Sequence, residues 1–256
     1  MTIEAITFDL WGTVLWPRAP AVALTRRMEL LLEAIVASGC ACTLEALTDA
    51  WHASFAEAEI IVRKDLNDFG PPGRWRMLAT RLGVDLDRVP YSAVESIYQD
   101  LTLEHPPEPM PGVLDVLRWL SESYRVGLIC NTGVTGGPVL RKVLAVHGLF
   151  DFFGATVFSH EFGRLKPDPT IFHHTLDLLG GVAADRALHI GDMEDLDVDG
   201  AHAAGMASFL YLHPELQPPP DASRAHRVFQ DWDSFPKLFL EWRSQRTDEV
   251  GPNSRS

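Results

Sequence analysis

The hydrophobic positions of the chain follow two different periods, which divide it into two kinds of region. Unbroken apolar runs predict buried strands at residues 3–8, 125–130, 155–158, 187–190 and 208–211. From residue 113 onward these strands alternate with segments of helical spacing, a pattern typical of a parallel sheet covered on both faces. Residues 20–106, by contrast, contain almost no strand pattern and place their apolar residues at helical spacing. The pattern therefore predicts an α/β core with an inserted helical region.

Prolines mark both crossings between these regions. Four of the eight residues from His105 to Gly112 are prolines, which exclude a helix and stiffen the chain, and the segment from Pro17 to Pro20 is the matching outward crossing. The last residues are polar and favour disorder. We therefore predict a core at residues 1–15 and 107–245, a helical cap domain at 16–106 and a disordered tail at 246–256.

The net charge and the cysteine content restrict the classes of binding partner and the compartment that the sequence favours. With 35 acidic and 22 basic residues, the formal net charge of −13 argues against nucleic acid or an anionic membrane as the main partner. It leaves a phosphorylated small molecule open, because a metal ion or one lysine can reverse the field inside a site. The three cysteines have no zinc-binding spacing, and we find neither a signal peptide nor an apolar run of membrane-spanning length. These features favour a cytoplasmic monomer or homodimer.

Four groups of polar residues follow predicted strands, where ligands of parallel sheets bind. Asp9 follows the first strand and is succeeded by a turn at Gly12 and Thr13. The other groups are Cys130-Asn131-Thr132-Gly133, Lys166 just before a helix that begins with Pro169, and Gly191-Asp192 with Asp197.

These residue types suit phosphate chemistry. A lysine beside Asp9 would keep that carboxylate ionised, a pair of carboxylates suits Mg²⁺, and small polar groups before a helix can hold phosphate oxygens. Taken singly, each group also fits an ordinary turn, cap or surface lysine.

Together, the four groups resemble the motifs of the haloacid dehalogenase-like (HAD) hydrolases, in the same order and with similar spacing. The segments 164–172 and 189–205 are the most specific part of this resemblance, which covers residues 1–15 and about 107–212. It implies a Rossmann-like parallel-sheet core, the HAD fold, with an α-helical cap inserted just after the first motif.

The resemblance also implies roles for individual residues. Asp9 would be the nucleophile that forms a covalent aspartyl intermediate. Its catalytic neighbours would be Thr13, Lys166 and the second motif at Cys130, Asn131 and Thr132, where the choice between Cys130 and Thr132 stays open. Mg²⁺ would be held by Asp9, the backbone carbonyl of Trp11 and Asp192, with Asp197 lying behind these ligands. The substrate would contact Trp11, Gly12, Asn131, Thr132, Gly133 and Lys166.

Trp11 departs from the pattern of the family's phosphatases, which carry a second aspartate there as general acid and base. Loss of such a group typically lowers the rate by about 10²–10⁴-fold. The leading hypothesis is a Mg²⁺-dependent phosphatase of small phosphorylated metabolites, with a preference for leaving groups that need no proton. A 2-haloacid dehalogenase-type hydrolase is the first alternative, because those enzymes also carry an aromatic residue at this position. A weakly active or inactive HAD-fold binding protein is the second.

Overall fold

The computed structural model describes residues 2–17, 20–213 and 222–248. Its main sheet consists of six strands, β1 (Ala5–Phe8), β4 (Arg125–Cys130), β5 (Ala155–Phe158), β6 (Ala187–Gly191), β7 (Ala207–Tyr211) and β8 (Arg227–Phe229). The spatial order is β5-β4-β1-β6-β7-β8, and every neighbouring pair is parallel. The five strands predicted from apolar runs are all present. β8 was not predicted, because only one of its three residues is buried and it leaves no apolar run.

The central position of β1 determines where the active site lies. Phe8 pairs with Leu128 of β4 on one side and with Ile190 of β6 on the other. The residues that follow these three strands therefore meet at one edge of the sheet. This edge contains three of the four polar groups identified in the sequence.

Helices cover both faces of the sheet: α6 (Val113–Ser121), α7 (Gly137–Val146), α8 (Ser159–Phe162), α9 (Pro169–Leu178), α10 (Asp199–Ala203) and α11 (Phe235–Asp248). Asp168 caps α9 by accepting a hydrogen bond from the backbone N–H of Thr170 at 2.9 Å. A π-helical turn at Glu194–Val198 precedes α10, where the sequence predicted one helix near residues 198–204. The faces are packed by two apolar clusters, one of which includes Phe8, Phe209 and Phe235.

The last helix, which the sequence predicts at about residues 232–243, has different bounds in the structure. α11 runs to Asp248, past the core boundary predicted at residue 245, whereas residues 249–256 lie outside the described part of the chain. The guanidinium of Arg246 lies 5.0 Å from the ring centre of Trp242, and Trp242 is buried. This contact extends the packed helix beyond the point where the sequence turns polar.

The inserted region consists of α1 (Pro20–Ala37), α2 (Leu44–Asp65), α3 (Gly70–Leu82), α4 (Tyr91–Gln99) and α5 (Leu101–Glu104). It has its own apolar core, which includes Trp51, Trp75 and Tyr98. A single helix was predicted near residues 92–103, but the structure divides it at Asp100 into α4 and α5. α3 begins at Gly70, four residues earlier than predicted, because two prolines fit its first turn.

The two crossings between core and cap form a short antiparallel ribbon. β2 (Leu15–Trp16) pairs with β3 (Glu108–Pro109), and the predicted domain boundaries at 15/16 and 106/107 fall on or beside it. Neither strand was predicted, since each is only two residues long.

Within the described residues, no helix combines the length and the apolar character needed to cross a membrane.

Candidate active site

The predicted contact between Asp9 and Lys166 lies at the centre of the strand-end edge. The Lys166 ammonium donates hydrogen bonds to Oδ1 of Asp9 and to Oδ1 of Asp197, both at 2.5 Å. Lys166 is 2 % exposed and Asp197 1 %. Burial alone would lower the pKa of Lys166, but the two carboxylates raise it well above its usual value. The lysine is therefore a fixed positive charge next to the predicted nucleophile.

Asp197 is itself held in place by a buried chain of hydrogen bonds. Its Oδ1 lies 3.0 Å from Nε2 of His189, and its Oδ2 accepts the backbone N–H of Met193 at 3.0 Å. Nδ1 of His189 lies 2.9 Å from the hydroxyl of Thr7. Burial lowers the pKa of His189, so a neutral ring that donates from Nε2 and accepts at Nδ1 fits both contacts. These hydrogen bonds hold in place the carboxylate that orients Lys166.

A glycine makes the position of Asp197 possible. A Cβ atom on Gly191 would lie 2.1 Å from Cγ of Asp197, closer than real Cβ atoms approach other atoms. Although burial acts to raise the pKa of Asp197, the charge of Lys166 and the hydrogen bond from His189 hold it well below its usual value. Asp197 is therefore ionised, and both of its carboxylate oxygens take part in hydrogen bonds.

Asp192 is the carboxylate of this site without a cationic partner. It forms no ion pair with another described residue, whereas Lys166 contacts both Asp9 and Asp197. Burial and the nearby charges of Asp9 and Asp197 raise the pKa of Asp192 to about 8. Burial, opposed by Lys166, also raises the pKa of Asp9 to about 6. Three acidic groups beside a single lysine are an excess of acids over cations, so their full ionisation needs a further positive charge.

This excess fits a divalent cation. Gly12, with φ +78°, brings its backbone so close to Asp192 that a Cβ atom would lie 2.3 Å from Oδ2 of that residue. The carboxylates of Asp9 and Asp192 are hard oxygen donors of the kind that Mg²⁺ prefers, and Trp11, whose carbonyl the resemblance implies as a further ligand, lines the same cavity. The described residues contain no group of three His, Cys, Asp or Glu side chains suited to a metal.

The second-motif loop is tied to the lysine and to the cap. The amide side chain of Asn131 accepts from the backbone N–H of Lys166 at 2.8 Å and donates to its carbonyl at 3.0 Å. The backbone N–H of Thr132 donates to Oγ of Ser159 at 2.7 Å, and Ser159 donates to Asp68 of the cap at 2.5 Å. The Thr132 hydroxyl lies 3.0 Å from Nδ1 of His160. These contacts fix the loop relative to both domains.

The remaining predicted site residues are divided between two cavities and the apolar core. We define the nucleophile cavity as the space of about 340 Å³ lined by Asp9, Trp11, Gly12, Asn131, Lys166 and Asp192, among others. Thr132 and Gly133 line a neighbouring cavity of about 570 Å³. Cys130 lies in the main apolar core, where burial raises the pKa of its thiol well above the usual value. The hydroxyl of Thr13 is buried without a hydrogen-bond partner among the described residues.

Three residues near the site were not anticipated. Ser159 directly follows β5, so the rule that led to Asp9 could also have identified it. His160 comes next in the chain and gives no comparable signal. Asp68 lies in a cap loop 91 residues away from Ser159, and nothing in the sequence indicates their contact.

Comparison with known proteins agrees with this geometry. A family model described as a haloacid dehalogenase-like hydrolase matches residues 3–205.

The chain belongs to this family.

Relatives of this HAD hydrolase include phosphatases. A pyrimidine 5'-nucleotidase from Escherichia coli is 30% identical over 148 residues, which are 57% of this chain and 61% of that protein's length. A phosphoserine phosphatase from Thermus thermophilus is 32% identical over 201 residues, which are 77% of this chain and 70% of that protein. Both names refer to hydrolysis of phosphate esters.

The HAD fold is also shared with solved structures. The crystal structure of a 2-haloacid dehalogenase from Pseudomonas syringae superposes with a TM-score of 0.66 at 23% identity, covering 94% of this chain and 100% of that one. At this level of identity the likeness shows the fold alone.

Proposed function

We propose that this HAD hydrolase is a Mg²⁺-dependent phosphatase of small phosphorylated metabolites, EC 3.1.3.-, and that it works through an aspartyl-phosphate on Asp9. The observation that carries this proposal is that Asp192 lies unpaired in the same cavity as Asp9, whereas Asp9 shares Lys166 with Asp197. The carboxylate of Asp192, which has no cationic partner among the described residues, would favour binding of a cation. The bound cation would in turn attract a negatively charged phosphate. The phosphatase relatives support the same chemistry.

The residues of this chain have distinct parts in the reaction. An oxygen of the Asp9 carboxylate attacks phosphorus, a P–O bond forms, and the bond to the leaving oxygen breaks. Lys166 neutralises negative charge on the transferred group, and Asp197 orients Lys166. Water then attacks phosphorus, which releases inorganic phosphate and restores the Asp9 carboxylate. Mg²⁺, held by Asp9, Asp192 and the Trp11 carbonyl, would supply further charge neutralisation at the phosphate.

The leaving group must depart without a proton from residue 11. Trp11 lines the nucleophile cavity, and its indole N–H is far too weak an acid to serve as a general acid for an alkoxide leaving group. Acyl and aryl phosphates release weakly basic anions, so they should react faster than alkyl phosphates. This preference would distinguish the present chain from the two relatives, since the substrates in their names are alkyl esters.

Trp11 also favours a second candidate, the dehalogenase-type hydrolase. There the Asp9 carboxylate would displace halide from carbon, and halide needs no proton. The unpaired Asp192 argues against this candidate, because its carboxylate would repel the nearby carboxylate of Asp9 in the absence of a cation.

The test is phosphate release from acetyl phosphate, 4-nitrophenyl phosphate and ethyl phosphate, with and without Mg²⁺. We expect turnover that a chelator abolishes, that decreases from the first substrate to the last, and that falls by at least about 10⁴-fold in Asp9→Asn. Asp115→Asn, an exposed carboxylate distant from the site, is the control. Halide release from a 2-haloacid without metal would favour the dehalogenase. Binding of Mg²⁺ without turnover of any substrate would favour a binding protein.

A further inference from the structure

A second cavity adjoins the nucleophile cavity between the core and the cap. It has a volume of about 300 Å³ and shares Trp11 and Pro17 with the nucleophile cavity. We call it the Trp11 cavity; its other walls include Arg27, Phe55, Leu101 and Val134. It is close to the lower limit of volumes that bind small organic molecules. Most of its lining is apolar, so it suits a ring or a short hydrocarbon body.

Arg27 is the strongly charged residue of this mostly apolar lining, whose other polar members are Thr102, His105 and Thr135. It is the one arginine, lysine, aspartate or glutamate among the described residues that line the cavity. Its side chain projects from α1 and is 7 % exposed, more buried than any other described arginine. Fixed charges enclosed to this degree are almost always paired with an opposite charge, since removing a charge from water is costly.

No carboxylate pairs with Arg27 within the described structure. Its Nε donates one long hydrogen bond, 3.4 Å, to the carbonyl of Ile97, and its guanidinium carbon lies 5.9 Å from the ring centre of Trp51. Its two terminal nitrogens donate no hydrogen bond to a described residue. Burial lowers the pKa of the guanidinium, and only the phenol of Tyr98 acts against this. By contrast, Arg63, Arg81 and Arg141 each contact a glutamate.

A purely structural role does not account for this arrangement. Bracing α1 against Trp51 uses the face of the guanidinium and one N–H, and a methionine or leucine could pack there without the cost of burying a charge. The planar fork of the terminal nitrogens matches a carboxylate, which accepts two parallel hydrogen bonds. The missing anion is therefore most simply supplied by a ligand in the cavity.

We propose that the Trp11 cavity holds the leaving group of the substrate and that Arg27 binds a carboxylate on it. The substrate class is then a phosphorylated carboxylic acid, with an apolar body between the phosphate at Asp9 and the carboxylate at Arg27. The identity of the phosphorylated end rests on the proposed function, whereas carboxylate binding at Arg27 stands independently of it.

The first experiment measures binding alone. We would titrate the protein with 3-phenylpropionate and with the uncharged amide of the same shape, 3-phenylpropionamide, by calorimetry. We expect the acid to bind at least about tenfold more tightly than the amide, as a charge-assisted hydrogen-bonded pair provides. Arg27→Met should remove this difference and Arg27→Lys should retain part of it. Arg26→Met, the exposed neighbour that pairs with Glu29, should leave the difference unchanged.

Three results would overturn the inference: equal affinity for acid and amide, no binding of either, or selectivity that persists in Arg27→Met. Circular dichroism and thermal melting establish whether each variant is folded. If Arg27→Met does not fold, comparison of the acid and the amide on the wild-type protein still decides, because the two probes share their shape and differ in charge and in one acceptor oxygen.

A second experiment connects the cavity to turnover. For 4-carboxyphenyl phosphate, Arg27→Met should raise KM by at least about tenfold with little change in kcat, and for phenyl phosphate it should change KM by less than about threefold. An equal effect on both substrates would contradict carboxylate recognition. Absence of phosphate release from either substrate in the wild type would refute the proposed function, and the titration with the two probes would still decide the role of Arg27.

Discussion

The nucleophile cavity and the Trp11 cavity adjoin at Trp11, yet they are opposite in chemistry. The first has an excess of acidic groups, with Asp9 and Asp197 sharing Lys166 and Asp192 without a cation. The second is apolar and contains one buried guanidinium without an acid. The charges of the first cavity suit a cation, and those of the second suit an anion. A phosphorylated acid together with Mg²⁺ would supply both.

The difference follows from the origin of the two sets of walls. The nucleophile cavity is formed mainly by residues at the ends of three adjacent strands, which the sheet holds in register. The Trp11 cavity combines Trp11 of the core with α1, α2 and α5 of the cap and with the loop after β4. The core therefore determines the reaction in our proposal, and the cap interface determines which substrate undergoes it.

The largest expected effect comes from removing Lys166, the positively charged side chain of the nucleophile cavity. Lys166→Met would leave Asp9 and Asp197 buried without their shared partner. Losing one partner of a buried ion pair typically costs about 3–5 kcal/mol. We expect the free energy of unfolding in urea to fall by that amount and phosphate release to be lost. Lys142→Met, at an exposed position on α7, should change it by less than about 0.5 kcal/mol. Equal stability of the two variants would show that the buried network contributes little.

An intermediate effect should follow from changing the residue that the two cavities share. Trp11→Asp places a carboxyl group where a proton donor is missing, so it should raise the rate for ethyl phosphate relative to 4-nitrophenyl phosphate. A positioned general acid contributes about 10²–10⁴-fold, and we expect an increase of at least about tenfold in the ratio of the two kcat/KM values. Trp11→Phe should leave this ratio close to that of the wild type. A ratio unchanged in Trp11→Asp would mean that residue 11 does not face the leaving group.

The smallest effect is expected at a cap arginine that already has acidic partners. Arg63 donates to Glu59 at 2.7 Å and to Asp195 of the core at 2.5 Å, but its side chain is 48% exposed. Exposed ion pairs contribute about 0–1 kcal/mol, so Arg63→Met should lower the free energy of unfolding by no more than that. It should also leave the affinity for 3-phenylpropionate unchanged. A loss of affinity as large as that in Arg27→Met would mean that the cap binds carboxylates through general positive charge.

Much of the core and its site was predictable from the sequence. Asp9, Lys166 and Asp192 were identified because apolar runs locate strands, and parallel strands deliver their following residues to one edge. The contact between Lys166 and Asp9 was expected from the motif order and is present at 2.5 Å. These inferences depend only on short stretches of the chain, because the spacing of apolar residues locates each strand and the turn residues locate its end.

The tertiary structure alone decided the contacts between distant segments. Asp68 reaches Ser159 across 91 residues, and Arg27 reaches the cavity beside Trp11 only when the cap has folded over the core. No local pattern distinguishes Arg27 from its exposed neighbour Arg26, since both occupy a helix with ordinary spacing. Their difference is burial, which depends on which face of α1 packs against α2 and α4. The sequence by itself thus determined the residues of the candidate site, whereas long-range packing determined the cavity that would select its substrate.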